Sequence, residues 1–295
     1  MAENRHFTLS QTPNGEISHL LIAFRGWPDA GEAATGALRF IMGKLGKQKM
    51  AEMDPEEFYD FSHVRPFIRQ DKEGRRRLAW PSNRAFFHED PDPSQSFMFL
   101  LGTEPSLKWR TYCDAILDLA AGAGVHTVVH LGALLDAVPH SRSMRITGSS
   151  SSKELEKSME DLSISSSGYQ GPSGISAAML ERCETWGLES VSLWGHSPHY
   201  LQTSPNYPVT YGLVNVVNRL LGLNLDISDL QKAAVTFQRQ LQRIIDNDSQ
   251  LRSYVQKLES HYDEVSVAAA EMPNAEEMVR EVERFLKDKR GHGPE

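Results

Sequence analysis

Four polar segments carry the residue types that could do chemistry. RGWPDAG, residues 25–31, offers Arg25 to neutralise a phosphate or carboxylate, Trp27 to line an apolar recess and Asp29 to orient a polar ligand or act on a proton. DAVPH, 136–140, adds Asp136 and His140. YQGPSG, 169–174, sets Gly171 and Gly174 around a proline just before a helical pattern. Such a turn could aim the first free N–H groups of a helix at an anion, with Tyr169 over the cleft and Ser173 at the helix start. GHSPHYLQTSPNYP, 195–208, holds His196, His199, Tyr200, Asn206 and Tyr207. Histidine titrates near neutral pH, so His196 and His199 are acid/base candidates, Asp29 is a further catalytic candidate, and Tyr200 would orient a substrate.

Each residue also has a plainer role. Asp29 and Glu32 have the spacing of a helix-capping pair, and Ser173 stands where a helix needs its N-cap. Arg25 suits a surface ion pair, Trp27 suits packing, and histidines, Asn206 and Tyr207 can brace a loop. No motif names a reaction. GxxxxGK[ST] is absent, no GxGxxG follows the first strand, and Ser173 lies in GPSGI rather than G-x-S-x-G. His196 and His199 flank a proline without HExxH geometry or a further ligand set, so neither a metal nor a cofactor is expected. Cys113 and Cys183 read as buried thiols. A formal charge of −8 argues against a nucleic-acid surface, and the Arg75–Arg77 run reads as a solvated turn.

The elements that must position these groups alternate. SHLLIAF (18–24), SFMFLLG (96–102), VHTVVHLG (125–132) and ESVSLWG (189–195) are apolar strands, and EFYDF (57–61) is a shorter candidate. Ala33, Ala34, Ala37, Leu38 and Ile41 share a helical face. Pro105 would start a second helix, residues 174–186 a third and 208–222 a fourth. The serine-rich stretch after Pro139 reads as an exposed loop. After Asp229 the pattern is helical to about 265, and Pro273 begins another short helix. The expected architecture is a three-layer α/β/α core with a mostly parallel or mixed sheet and added C-terminal helices. No run approaches the ~20 apolar residues of a membrane helix, so no membrane partner is expected. The opening MAENRHFTLSQTPNGE lacks a basic-then-apolar leader, which sets a cytoplasmic expectation.

FRGWPDAG (24–31), HLGALLDAVPHSR (130–142), ITGSSS (146–151), YQGPSGISAAML (169–180), LWGHSPHYLQTSPNYP (193–208) and LLGLNLDISDL (220–230), in this order, resemble the PAC2 family, named for proteasome assembly chaperone 2, and its bacterial, actinobacterial-type members. The resemblance implies an α/β/α fold similar to nucleoside phosphorylases and related hydrolases, and self-association with a trimer as one form. It transfers no catalytic residue. It divides the chain into a core over 1–228, a helical extension over 229–290 packed on the core or at an interface, and a tail over 291–295.

Two functions follow as expectations. The first is protein binding or assembly, with Leu241, Ile244, Leu251 and Val255 as a helix face offered to another chain. The second is an enzyme or binding protein for a small phosphorylated or carboxylated metabolite, which requires the loops at 25–31, 136–140, 169–174 and 196–207 to meet in one cleft.

Overall fold

Every residue from Leu20 to Phe24 is inaccessible to solvent, so this stretch must be a strand covered on both faces. The computed structural model describes residues 5–166, 168–201 and 203–271, with side chains described to residue 264. In chain order its elements are β1 (Phe7–Leu9), β2 (His19–Arg25), α1 (Ala33–Leu45), β3 (Gln48–Met53), β4 (Phe67–Gln70), β5 (Arg76–Ala79), β6 (Asn83–His88), β7 (Phe97–Thr103), α2 (Trp109–Gly122), β8 (Thr127–Asp136), β9 (Ile146–Ser150), α3 (Lys153–Asp161), α4 (Ile175–Thr185), β10 (Glu189–Pro198), α5 (Tyr207–Leu220), α6 (Ser228–Asn247) and α7 (Ser249–Glu271).

Eight strands form one mixed sheet in the order β1-β3-β6-β7-β2-β8-β10-β9. β7, β2, β8 and β10 are parallel; β6, β3 and β1 continue antiparallel at one side, and β9 closes the other antiparallel to β10. β4 and β5 pair only with each other. The small residues of α1 let that helix sit close to Leu21, Ala23, Leu131 and Leu193, beside Val209 and Leu213 of α5. On the opposite face α2 and α4 bring Tyr112, Cys113, Ile116, Met179 and Cys183 onto Leu20, Ile22, Phe24 and Val128. This is the expected α/β/α layering. Cys113 and Cys183 are unoxidised and buried, and burial pushes both thiols up to about 12, with the neighbouring Cys183 adding to the rise at Cys113.

Several local expectations are corrected. EFYDF is not a strand. The Asp54 carboxylate accepts the Glu56 amide and Phe58 N–H closes a turn on Pro55, after which consecutive Phe58 and Tyr59 are both buried, whereas a strand would turn one of them outward. The strand in that region is β3. α2 begins at Trp109 rather than near Pro105, because the amides of Ser106 and Leu107 both go to the Phe58 carbonyl and Lys108 is left-handed at φ 54°. The serine-rich stretch holds β9 and α3 rather than one exposed loop. Gly148 is required there: a Cβ on it would lie 2.7 Å from the Ser192 carbonyl oxygen of the paired strand. Asp29 and Glu32 do not form a capping pair. Glu32 is the left-handed N-cap of α1 without a side-chain bond, while Asp29 reaches to Thr35, accepting its N–H at 3.0 Å and its hydroxyl at 2.6 Å.

The chain divides into two compact units, Met1–Gln242 and Arg243–Glu295. In the second, the Asp248 carboxylate caps α7 by accepting from the amides of Gln250 and Leu251. The helix face expected to meet another chain is not an exposed stripe: Leu241 and Val255 are buried, Leu251 is half-buried, and Ile244 is exposed where Ile245 is buried. The expected helix from Pro273 and the tail lie outside the described residues. No helix among the described residues is long and apolar enough to cross a membrane.

Candidate functional site: a hydroxyl-lined cleft

Side chains alternate along β10. Gly195 faces Val209 and Leu213 of α5, while Ser192, Trp194 and His196 turn to the other side. On β9, Thr147 and Ser149 share that side. A Cβ on Gly132 of β8 would lie 2.7 Å from Trp194 Cε3, so the bare backbone there seats the indole. With Trp27, Asp136, Tyr169 and Ser173 these residues line a cleft of about 660 Å³ at the carboxyl ends of β8 and β10, where open α/β sheets bind ligands.

At its centre three side chains from three strands make one chain of hydrogen bonds. His196 Nδ1 is 2.7 Å from Asp136 Oδ2, and His196 Nε2 is 2.9 Å from Thr147 Oγ1. Burial alone would raise the Asp136 pKa, but the bonds from His196 and the Ala137 N–H, with Arg145 3.8 Å away, hold it below the usual carboxylate value. Burial lowers the His196 pKa and outweighs the attraction of Asp136. Asp136 is therefore ionised and His196 neutral at pH 7. A carboxylate only accepts, so Nδ1 carries the proton and Nε2 accepts from the Thr147 hydroxyl. Carboxylate, imidazole and hydroxyl in this order are the parts of a triad-type proton relay. Thr147 is 3% and His196 4% exposed, so the same bonds also join β9 and β10 through a buried pair, tied to β8 by the half-buried Asp136.

Of the candidates read from sequence, Trp27, Asp136, Tyr169, Ser173 and His196 meet in this cleft. His140 and Asn206 do not; with His196 they border a separate recess of about 20 Å³. The Tyr200 hydroxyl accepts the His140 N–H at 2.8 Å, and His199 bonds the Asp136 carbonyl through its N–H and Nδ1, so both brace the loop after β10. Asn206 is the N-cap of α5, accepting from Val209 N and donating to Ser197 Oγ, and Tyr207 is the first residue of that helix, its ring edge-on to Phe237. Asp29, whose pKa is raised by burial against its bonds from Thr35, is committed to the start of α1. Gly171 lies against the Tyr169 ring, whose hydroxyl donates to Pro172 O. Arg25 turns the other way. Strand alternation sends Phe24 into the α2/α4 face and Arg25 towards Arg39 of α1, away from the cleft.

Ser173 is not the N-cap of α4. That place is taken by Gly174, and the Ile175 N–H goes to Glu104 Oε1 at 3.0 Å, from the loop after β7. A Cβ on Gly174 would lie 2.7 Å from this oxygen. A carboxylate of the chain itself thus occupies the helix start that the sequence reading gave to an anionic ligand. Glu104, Thr147, Ser192, Trp194 and Arg145 were not singled out from sequence. The signal for two of them was present: Ser192 and Trp194, in line with His196, alternate with Val191, Leu193 and Gly195 at the period of a strand with one polar face. Among the described residues, no group of three or more His, Cys, Asp or Glu could hold a metal ion.

The PAC2 family model matches residues 23–245. The chain is 32% identical to a PAC2 family protein from Streptomyces avermitilis, with a TM-score of 0.71 over 81% of this chain and 99% of that one. It is 33% identical to a proteasome-assembly chaperone homologue from Mycobacterium tuberculosis, with a TM-score of 0.72 over 80% of this chain and 99% of that one. An archaeal proteasome activator from Pyrococcus furiosus, 16% identical, shares the fold at a TM-score of 0.65 over 81% of this chain and 97% of that one. No curated protein matches. The layered sheet, the ordered loop segments and the match across most of the length make this chain a member of the PAC2 family.

Proposed function

We propose that this chain is a protein-binding protein that acts in the assembly of a larger complex. The observation that carries the reading is the β4–β5 hairpin. It stands outside the main sheet, and Phe67, Ile68, Leu78 and Trp80 on and beside it are exposed by 70%, 58%, 56% and 45%. A two-stranded ribbon gains little stability from apolar groups left in water, and several such groups together mark a surface that a partner covers. The likeness to a proteasome-assembly chaperone homologue supports the same reading. Self-association, with a trimer as one form, belongs to the proposal.

The test replaces Phe67, Ile68 and Leu78 with serine in the full chain. Native mass spectrometry would read assembly with itself and with purified proteasome α- and β-subunits. Loss of three exposed apolar anchors is expected to weaken association at least tenfold, about 1.4 kcal/mol, without lowering the melting temperature. If the unaltered chain forms no complex with any of these at micromolar concentration, the reading is abandoned.

A second reading is favoured by the Asp136–His196–Thr147 chain. Here the cleft takes a small phosphorylated or carboxylated metabolite, Arg145 and the hydroxyls hold its anionic group, and His196 accepts a proton. The phosphorylase- and hydrolase-like fold label belongs to this reading and by itself carries no activity. A matching ligand is expected to slow amide exchange over 169–177 and 192–196 at least fivefold, and His196→Gln to remove the effect. Unchanged exchange across saturating nucleotide, sugar-phosphate and carboxylate panels counts against it.

A further inference from the structure

A second recess lies on the α1 side of the sheet, at the carboxyl ends of β2 and β7. Its volume is about 390 Å³, and five arginines line it: Arg25, Arg39, Arg65, Arg69 and Arg84. No aspartate or glutamate is among its lining residues. In a chain of net charge −8 this concentration of one sign is a local feature that the total conceals.

Four of these five arginines make no ion pair among the described residues; the fifth, Arg84, pairs with Glu52 at 3.1 Å. Arg39 is the informative one. Its Nη1 donates to Thr35 Oγ1 at 3.2 Å, while its Nη2 is buried and has no hydrogen-bond partner among the described residues. A buried donor left unpaired costs about 1–3 kcal/mol, a charged guanidinium donor more, and folds seldom keep one unless something accepts from it. Burial first, and then the like charge of Arg25, pull the Arg39 pKa below its ordinary value, with Asp29 and Glu32 opposing. Two guanidinium groups held near one another in a recess repel, and an anion between them converts that repulsion into two charge-assisted contacts. Trp80 and Phe67 supply an apolar wall beside the charged floor.

We propose that this recess is a binding site for a small, multiply charged oxyanion, with Arg25 and Arg39 on its inner oxygens and Arg65 and Arg69 at the rim. Several guanidinium groups without a lining carboxylate call for more than one negative charge on the ligand, which a phosphate ester or a polycarboxylate provides. The site shares Phe67 and Trp80 with the hairpin of the first reading, but anion binding requires neither a protein partner nor the chemistry of His196, so its test can fail while theirs succeed, and the reverse.

The test is thermal unfolding of the full chain at low ionic strength with pyrophosphate, with citrate, and with potassium chloride of matched ionic strength. Pyrophosphate or citrate at about ten times its Kd is expected to raise the melting temperature by roughly 2–5 °C, and the chloride control by less than 1 °C. Stronger protection by pyrophosphate assigns the site to phosphates, and by citrate to carboxylates; both uphold it. Arg39→Met is expected to abolish the shift. Because Arg39 also bonds Thr35, the exposed Arg25→Gln and the Arg65→Gln/Arg69→Gln pair serve as variants that leave the α1 contacts in place, and each is expected to weaken the anion at least fivefold. No shift with either anion in the unaltered chain, or an undiminished shift in Arg25→Gln and in the rim pair, overturns the proposal.

Discussion

His130→Leu is expected to be more stable than the unaltered chain, with the margin growing as the pH falls. His130 is fully buried on β8, with Phe24 and Trp194 rings 6.1 and 5.6 Å away centroid to centroid, and neither ring nitrogen has a hydrogen-bond partner among the described residues. Burial pulls its pKa from 6.5 to about 3. Between those values the unfolded chain holds a proton that the folded chain refuses. Stability must therefore fall as the pH drops below 6.5, on the order of 1 kcal/mol per pH unit, until the folded state takes the proton near 3. Above 6.5 the ring is neutral in both states and this dependence ends. Leucine removes both the slope and the unpaired polar atoms, so the variant should gain about 1–3 kcal/mol at pH 7.5 and more at pH 5. His19, lowered to about 4 by burial, then by repulsion from His126, with Glu189 opposing, leaves a second slope of the same sign in both proteins. Urea denaturation at the two pH values is the measurement. Equal pH slopes in the two proteins would show that His130 has a partner or finds one.

Asn83→Leu should do the opposite, costing about 3–5 kcal/mol. Asn83 is fully buried on β6 and closes a polar cluster at the end of β7. It accepts from Thr103 N at 2.9 Å and from the Tyr112 hydroxyl at 2.7 Å, and donates to the Tyr59 oxygen at 2.7 Å, whose own hydroxyl donates to the Thr103 carbonyl at 2.6 Å. Burial raises the pKa of both phenols, so both keep the proton they donate. Leucine leaves the Thr103 amide and the Tyr112 hydroxyl with no acceptor in a site closed to water, and each orphan costs about 1–3 kcal/mol. Tyr112→Phe removes one bond and should cost about 1 kcal/mol, and the double variant less than the sum of the two. Denaturation midpoints of the three variants decide it; a loss below 1 kcal/mol for Asn83→Leu would mean that the cluster contributes little. Because Thr103 also lines the arginine recess, the same substitution should loosen the floor of that site.

The central strands and the α1 face were legible because their signals are one-dimensional. A continuous apolar run of about seven residues, too short for a buried helix and bounded by polar residues or glycine, fits a doubly covered strand, and the alanines at 33, 34 and 37 repeat at helical spacing. β9 and β3 were not legible. ITGSS and QKMAEM have weak strand propensity and form strands because β10 and β6 offer paired edges. At the cleft, Asp136 and His196 could be named, but not Thr147, because β9 reaches His196 through sheet register rather than local sequence. Arg25 could be named as an anion ligand but assigned to the wrong cavity. The alternation that buries Phe24 decides which side Arg25 takes, and which helix covers that side depends on the whole topology. Arg39 carried no signal, since an arginine on an amphipathic helix reads as its wet face.

Cys113 and Cys183, deep between α2 and α4, give the molecule an internal clock. A thiol held near a pKa of 12 and sealed from solvent does not react with an alkylating reagent at neutral pH. Every modified sulfur then records one moment when this layer parted from the sheet. Mass spectrometry of the untouched natural chain can count those moments inside a living cell, with no dye or tag attached.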